Sequence, residues 1–236
     1  MALLFSIFFW LFSFLFMALL AFGTLIVIPF FTYPKVHRYI PAPGFALIAK
    51  LATLGRLKIV YDPKFDPKRQ SVFCMNHTNL IDAHVASAAI PHAFCGLMNA
   101  WQFKIPFYGW LMKHSKGIAV NKKEVGKILE KMIYDAKERK KIGMSILVFP
   151  EAHRTPNGKI ERFRKGVFFM ARDAGYPIVP MVAKGMYEVN HKGSYLFRPH
   201  PVTVYVGPQL ETAGVSDDKI DTLVHQTYEF MEAHVR

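Results

Sequence analysis

The chain has 236 residues, enough for one substantial domain and an appendage. Its formal net charge is +13, while 52% of its residues are hydrophobic. This combination is typical of a protein at an anionic membrane surface and argues against a nucleic-acid partner. Cys74 and Cys95 lie in apolar runs and lack the spacing of a metal site or a disulfide framework. We interpret both as reduced core residues and expect no metal.

The first segment, residues 1–34, contains no charged residue and no histidine. A bilayer core about 30 Å thick needs about 20 helical residues, so this segment is long enough to cross it. A cleaved signal peptide is not expected, because a basic start and a small-x-small cleavage site are both missing. Gly23 and Pro29 can kink or end the helix. A monotopic helix that enters one leaflet is therefore the alternative to a spanning helix.

The next segment carries only positive charge until Asp62, the first acidic residue. Its cations are Lys35, Arg38, Lys50, Arg56 and Lys58. The positive-inside rule then predicts a domain on the cytoplasmic face of the cytoplasmic membrane. Residues 44–55 are predicted to form a second helix on the membrane face, with a core helix as the alternative. We therefore predict a membrane anchor over residues 1–56 and a separate domain over residues 57–236.

From Leu57 onward, strand and helix patterns alternate, which predicts an α/β fold with a mixed central sheet flanked by helices. Strands are predicted at residues 57–61, 71–76, 93–98, 117–121, 144–149, 178–183 and 201–206. A helix from Glu124 to Lys140 has one apolar face and a basic face that an acidic partner could contact. A final helix is predicted to begin at Ser216, which would act as its N-cap.

Polar residues follow the predicted strand 71–76 and suggest a catalytic turn. The run is Asn76-His77-Thr78-Asn79-Leu80-Ile81-Asp82, with a helix expected from Ile81. His77 can act as a general base near neutral pH, and Asp82 can select its tautomer. A His-x4-Asp pair arises easily by chance, so it needs support from a second motif.

A second turn of the same kind supplies that support. The strand 144–149 runs into Phe149-Pro150-Glu151-Ala152-His153-Arg154-Thr155. Further on, Arg162-Phe163-Arg164-Lys165-Gly166 leads into a helix predicted over residues 167–174. Cations beside a helix N-terminus favour phosphate binding, because the free amides and the helix dipole attract the same anion.

Both turns resemble motifs of the glycerolipid acyltransferases. The first is similar to the His-x4-Asp signature of that family, and the second to its Phe-Pro-Glu-Gly-Thr-Arg-Ser block. The segment Lys116–Lys122 resembles the middle motif, in which glycine is followed by apolar residues and an arginine. The segment Pro177–Met181 resembles the fourth motif, an apolar strand interrupted by proline. All four occur in order over residues 70–185, and the bacterial 1-acylglycerol-3-phosphate acyltransferases are the most similar type.

The resemblance implies transfer of an acyl group from acyl-CoA or acyl carrier protein to the hydroxyl of a lysophospholipid in a membrane. His77 would take the hydroxyl proton, and Asp82 would orient His77. The oxygen would attack the thioester directly, and no Gly-x-Ser-x-Gly nucleophile motif is present. No cofactor is implied beyond the acyl donor. The residues expected to bind the acceptor are Lys122, Glu151 and Arg154, with Arg164 and Lys165 as helpers.

Two departures from the family pattern leave the acceptor open. Lys122 replaces an arginine and keeps the charge but loses the bidentate fork. Ala152-His153 replaces Gly-Thr in the second turn. Glu151 is expected to bind acceptor hydroxyls or to hold Arg154. Lysophosphatidate, which would give phosphatidic acid, is the first acceptor hypothesis, and another lysolipid such as a lyso-aminolipid is the second. A non-catalytic lipid-binding protein is the third reading.

Overall fold

A seven-stranded sheet forms the centre of the computed structural model, which describes residues 1–105, 108–121 and 127–235. The strands are β1 (Leu57–Tyr61), β2 (Val72–Met75), β3 (Phe94–Asn99), β4 (Ile118–Val120), β5 (Ser145–Val148), β6 (Ile178–Lys184) and β7 (Val202–Val206). Their order across the sheet is β1-β7-β6-β2-β5-β3-β4. Among these described strands, only β6 and β7 pair antiparallel, so the predicted mixed sheet and its seven strands are confirmed.

Helices cover both faces of the sheet. They are α1 (Ala2–Val27), α2 (Tyr33–Tyr39), α3 (Pro41–Ala52), α4 (Asp82–Ala89), α5 (Tyr108–His114), α6 (Ile128–Lys141), α7 (Gly166–Asp173), α8 (Met186–Val189) and α9 (Ile220–Val235). Phe73 and Met75 of β2 pack on the face of α3 and α4, whereas Val72 and Cys74 pack on the face of α6, α7 and α9. Burial on both faces explains why β2 is apolar without interruption.

The central position of β2 decides where the polar turns lie. β2 pairs parallel with β5, and Cys74 lies opposite Val148. The carboxyl ends of the two strands therefore meet at one edge of the sheet. The turn that contains His77 and the turn that contains Glu151 follow these ends directly.

Several helix boundaries differ from the predictions, and α3 spans Pro41–Ala52 instead of residues 44–55. Helix α4 begins at Asp82 rather than Ile81. Helix α6 is described from Ile128, and the predicted start at Glu124 lies outside the described residues. Helix α9 begins at Ile220, after a 3₁₀ turn over Asp217–Lys219, and the Ser216 side chain makes no capping hydrogen bond. The prediction that Ser216 caps the helix with its side chain was therefore wrong.

The N-terminal helices pack against the sheet domain. Helix α1 has 26 residues and is the one helix in the described chain long and apolar enough to cross a membrane. Its Phe9 is 1% exposed, and the Phe9 ring lies 4.3 Å from that of Phe197. In α3, Ile48 is fully buried in the same core. The inner face of α3 therefore packs as a core helix, which was the alternative prediction for this segment. The predicted boundary at residue 56 stays a prediction.

Candidate active site

The His77–Asp82 pair has the geometry of a general base with its orienting carboxylate. Asp82 is 1% exposed, and its Oδ2 lies 2.9 Å from His77 Nδ1. A carboxylate accepts hydrogen bonds, so Nδ1 carries the ring proton and Nε2 presents its lone pair. The His77 side chain is 24% exposed, and no described residue hydrogen-bonds Nε2. Nε2 is therefore available to accept a proton from a bound molecule.

Asp82 also fixes the shape of the turn. The same Oδ2 accepts the backbone N–H groups of Thr78, at 2.7 Å, and of Asn79, at 2.8 Å. These amides immediately precede α4, which begins at Asp82, and would otherwise lack partners in a buried turn. One side chain thus orients the base and satisfies the backbone beside it.

Three neighbours that sequence reasoning missed hold the turn in place. The Phe149 ring stacks on His77 at a centroid distance of 4.1 Å. Asn76 Oδ1 accepts the N–H of Ala183 at 2.9 Å, which ties the end of β2 to β6. Asn79 Nδ2 donates to the carbonyls of Met186 and Asn190, both at 2.8 Å. The available signal was a pair of asparagines flanking the histidine, since a buried amide needs several partners.

Glu151 lies beneath the turn and is 1% exposed. Its Oε1 accepts the N–H of His77 and its Oε2 accepts the N–H of Glu161, both at 2.8 Å. The expectation that Glu151 holds Arg154 was wrong, because its carboxylate binds these two backbone amides. Burial raises the pKa of Glu151 to about 7, although the amides of Glu161 and His77 favour the charged form. Glu151 positions the backbone of the base.

Further backbone hydrogen bonds join the two turns. Thr155 N–H donates to the carbonyl of His77, and Arg164 N–H donates to the carbonyl of Pro150, both at 2.8 Å. Ala152 has φ +63°, a left-handed conformation that glycine adopts more easily. This explains the glycine at the matching place in the family motif. The turn keeps that conformation with an alanine.

The expected phosphate-binding cations occupy different environments. Arg154 is half-buried and makes no ion pair with a described residue, and Arg164 is exposed on the segment hydrogen-bonded to Pro150. Lys165 instead pairs with Asp221 of α9, at 2.6 Å, so the structure does not bring its ammonium to the turn. Lys122 lies outside the described residues.

The structure also bears on two other kinds of chemistry, a cysteine nucleophile and a metal site. Cys74 is fully buried, and burial raises the pKa of its thiol, which disfavours a nucleophilic thiolate. In residues 1–105, 108–121 and 127–235, no group of three or more His, Cys, Asp or Glu side chains is arranged to hold a metal ion.

Comparisons with known proteins find acyltransferases that are similar to this chain in sequence. The family model described as Acyltransferase matches residues 56–184, which include both turns. A 1-acyl-sn-glycerol-3-phosphate acyltransferase of Limnanthes douglasii is 27% identical over 164 residues, 68% of this chain and 58% of the relative. One from Pseudomonas aeruginosa is 29% identical over 110 residues, 47% of this chain and 42% of the relative. The chain thus spans 58% or less of the length of either.

A solved structure has the same fold. The crystal structure of the 1-acyl-sn-glycerophosphate (LPA) acyltransferase PlsC from Thermotoga maritima superposes with a TM-score of 0.79 at 21% identity. The match covers 99% of this chain and 94% of that chain. It therefore extends over the N-terminal helices as well as the sheet.

Proposed function

This chain belongs to the acyltransferase family, and we propose that it transfers a fatty acyl group from a thioester to the free hydroxyl of lysophosphatidate. The product would be phosphatidic acid, used in phospholipid synthesis. One observation carries the proposal: Asp82 binds Nδ1 of His77 at 2.9 Å, while Nε2 of the same ring has no partner among the described residues. The acceptors named for the similar proteins support the choice of lysophosphatidate.

The proposed reaction is a direct transfer. His77 Nε2 takes the proton of the acceptor hydroxyl while the oxygen attacks the thioester carbonyl carbon. The C–S bond then breaks, and the thiolate leaves with the proton that His77 holds. Asp82 stabilises the imidazolium between these two steps, because its carboxylate stays bound to Nδ1. The buried Cys74 is not available as a nucleophile, which supports a direct transfer without an acyl-enzyme.

The acceptor phosphate is proposed to lie against Arg154 and Arg164. Arg154 precedes Thr155, whose N–H donates to the carbonyl of His77, and Arg164 donates its own N–H to the carbonyl of Pro150 in the second turn. A guanidinium group binds phosphate through two parallel hydrogen bonds, so one arginine can fix both position and orientation. Lys122 is proposed to assist them. Lys165 is left out, because it pairs with Asp221.

A thiol-release assay tests the reaction. Purified protein is incubated with acyl-CoA or acyl carrier protein and a panel of lysolipids. We expect activity with lysophosphatidate that is lost in His77→Ala and kept in His225→Ala, a control histidine exposed on α9. We also expect Arg154→Gln to raise KM for lysophosphatidate and to leave phosphate-free acceptors unaffected. Activity only on a phosphate-free acceptor would favour a lyso-aminolipid, and no thiol release would favour a lipid-binding role.

Helix α1 is proposed to bind the membrane by lying in one leaflet. Its exposed face is a stripe of large apolar side chains at intervals of three and four residues. The stripe consists of Leu4, Phe8, Leu11, Leu15, Leu19, Phe22 and Ile26. On the opposite face, Phe9 contacts Phe197, and Trp10 Nε1 donates to the carbonyl of Tyr195 at 2.9 Å. A helix that crossed the bilayer would carry Phe9 away from these partners.

Cysteine labelling distinguishes the two arrangements. Both native cysteines are buried, so a cysteine introduced as Ala2→Cys is the accessible one. For a helix lying in the cytoplasmic leaflet, a membrane-impermeant reagent labels this residue from the cytoplasmic side, as it labels the control Lys192→Cys. Labelling of the two positions from opposite sides would establish a spanning helix. Recovery of the chain in the soluble fraction without detergent would overturn membrane binding altogether.

A further inference from the structure

A cavity lies at the end of α4 remote from His77. It has a volume of about 330 Å³ and is lined by residues of α2, α3, the start of β1 and the turn after α4. The catalytic turn precedes the first residue of α4, so the eight residues of this helix, about 12 Å, separate the two places. The volume is at the lower end for small-molecule sites and suits a head group rather than a whole lipid.

The charged side chains that line this cavity are positive. Arg38 and Lys50 are both exposed at its wall, and among the described residues no carboxylate lines it. Neither cation forms an ion pair with a described residue. The first acidic residue of the chain is Asp62, so nothing earlier in the sequence can neutralise them. Two unpaired cations at one cavity favour an anion, and the guanidinium favours phosphate in particular.

A buried histidine forms part of the same wall. His37 is 3% exposed, and its Nδ1 has no hydrogen-bond partner among the described residues. The other lining histidine, His92, differs, because its ring nitrogens contact the Pro67 carbonyl and Ser145 Oγ. Buried polar atoms normally have partners, but this Nδ1 has almost no accessible surface, so His37 contributes its ring to the wall and not a donor to the cavity.

The remaining wall is apolar and lies close to the membrane-binding helix. Leu57 and Ile59 of β1 contribute to it. Helix α3, which carries Lys50, packs so closely on α1 that a Cβ added to Gly44 would overlap Leu20. The cavity is therefore part of the same unit as the proposed membrane-binding stripe.

We propose that this cavity binds the phosphate of a membrane phospholipid head group, with Arg38 and Lys50 on the phosphate oxygens. The apolar wall of Leu57 and Ile59 would face the glycerol carbons. The site is separate from the acceptor site and does not depend on the transfer reaction. An inorganic phosphate ion or a soluble phosphate ester has the same anionic chemistry, so the test must separate these sources from lipid.

Binding measurements with matched double variants test the site. Short-chain phosphatidylglycerol is titrated into the full chain in neutral detergent micelles, followed by calorimetry. We expect Arg38→Gln with Lys50→Gln to weaken binding at least about tenfold, since each cation near an anionic lipid contributes substantially. The control pair Lys35→Gln with Lys58→Gln removes the same charge from exposed neighbours outside the cavity and is expected to change binding less than about twofold.

Further measurements identify the ligand and test whether the variants fold. The melting temperature of the Arg38→Gln and Lys50→Gln double variant is expected to change little, because both side chains are exposed. Inorganic phosphate and glycerol phosphate are expected to compete poorly with the lipid. Competition as strong as that of the lipid would overturn the lipid source. Equal losses in both double variants, or no binding of any probe, would overturn the site.

Discussion

Replacing Glu151 by glutamine tests whether its carboxylate holds the catalytic turn. The two oxygens of Glu151 accept the N–H groups of His77 and Glu161, each at 2.8 Å. Glutamine has nearly the same shape but a single acceptor oxygen, so its amide NH₂ must face one of the two N–H groups. Protonated glutamic acid, in contrast, keeps a lone pair on both oxygens. The substitution therefore removes one hydrogen bond with little change in volume.

The size of the effect follows from the burial of the group. An unsatisfied buried donor costs about 1–3 kcal/mol, and the facing NH₂ adds repulsion. We expect the free energy of unfolding to fall by about 2–3 kcal/mol. One of the two donors belongs to His77, so the base also moves. We expect kcat to fall at least about tenfold, because small misplacements of a catalytic group are costly.

The pH dependence of stability is a second signature. Burial raises the pKa of Glu151 from 4.5 to about 7, so the folded chain binds this proton more tightly than the unfolded chain. The resulting stabilisation is fully present below about pH 4.5 and is lost as the pH rises through about 7; it amounts to about 3 kcal/mol at most. Glutamine lacks this contribution. The stability difference between wild type and Glu151→Gln should therefore be larger at low pH than at high pH.

Denaturant unfolding in detergent micelles, followed by tryptophan fluorescence at several pH values, measures the free energy of unfolding and its pH dependence. The thiol-release assay measures kcat. The matched control is Glu161→Gln, which makes the same chemical change but keeps the backbone N–H that Glu151 accepts. We expect this control to unfold nearly as wild type does. An equal loss of stability in both variants, or a Glu151→Gln variant that matches wild type at every pH, would contradict this role of Glu151.

Three further predictions concern the turn and the first helix. Asp82→Asn should lower kcat about 10²-fold in the thiol-release assay, because the backbone N–H groups of Thr78 and Asn79 keep the asparagine oxygen beside Nδ1, and this neutral oxygen stabilises the imidazolium less than a carboxylate does; unchanged kcat would contradict this. Ala152→Gly should raise the free energy of unfolding by about 1 kcal/mol, because φ is +63° there, and a lower melting temperature would contradict it. Phe197→Ala should lower the free energy of unfolding by about 3–5 kcal/mol and make α1 more accessible to protease, because Phe197 is fully buried against Phe9; protection equal to wild type would argue against the contact.

Local patterns in the chain were sufficient to predict the strands and the contact between His77 and Asp82. Each strand is a short apolar run closed by turn residues, and burial of such a run does not depend on which strand lies beside it. His77 and Asp82 are five residues apart, so the turn between them brings their side chains together. The reaction type was inferred from the similarity of both turns to family motifs. Neither turn by itself indicates it.

The roles of Glu151, Lys165 and α1 required the tertiary structure. Glu151 binds an amide 74 residues away because β2 and β5 pair in parallel, and nothing near Glu151 in sequence indicates that register. Lys165 meets Asp221, 56 residues away, only because α7 and α9 cover the same face. Ser6 of α1 accepts the N–H of Phe197 across 191 residues. Long-range pairing of this kind depends on packing, whereas hydrophobic pattern and spacing describe only neighbours along the chain.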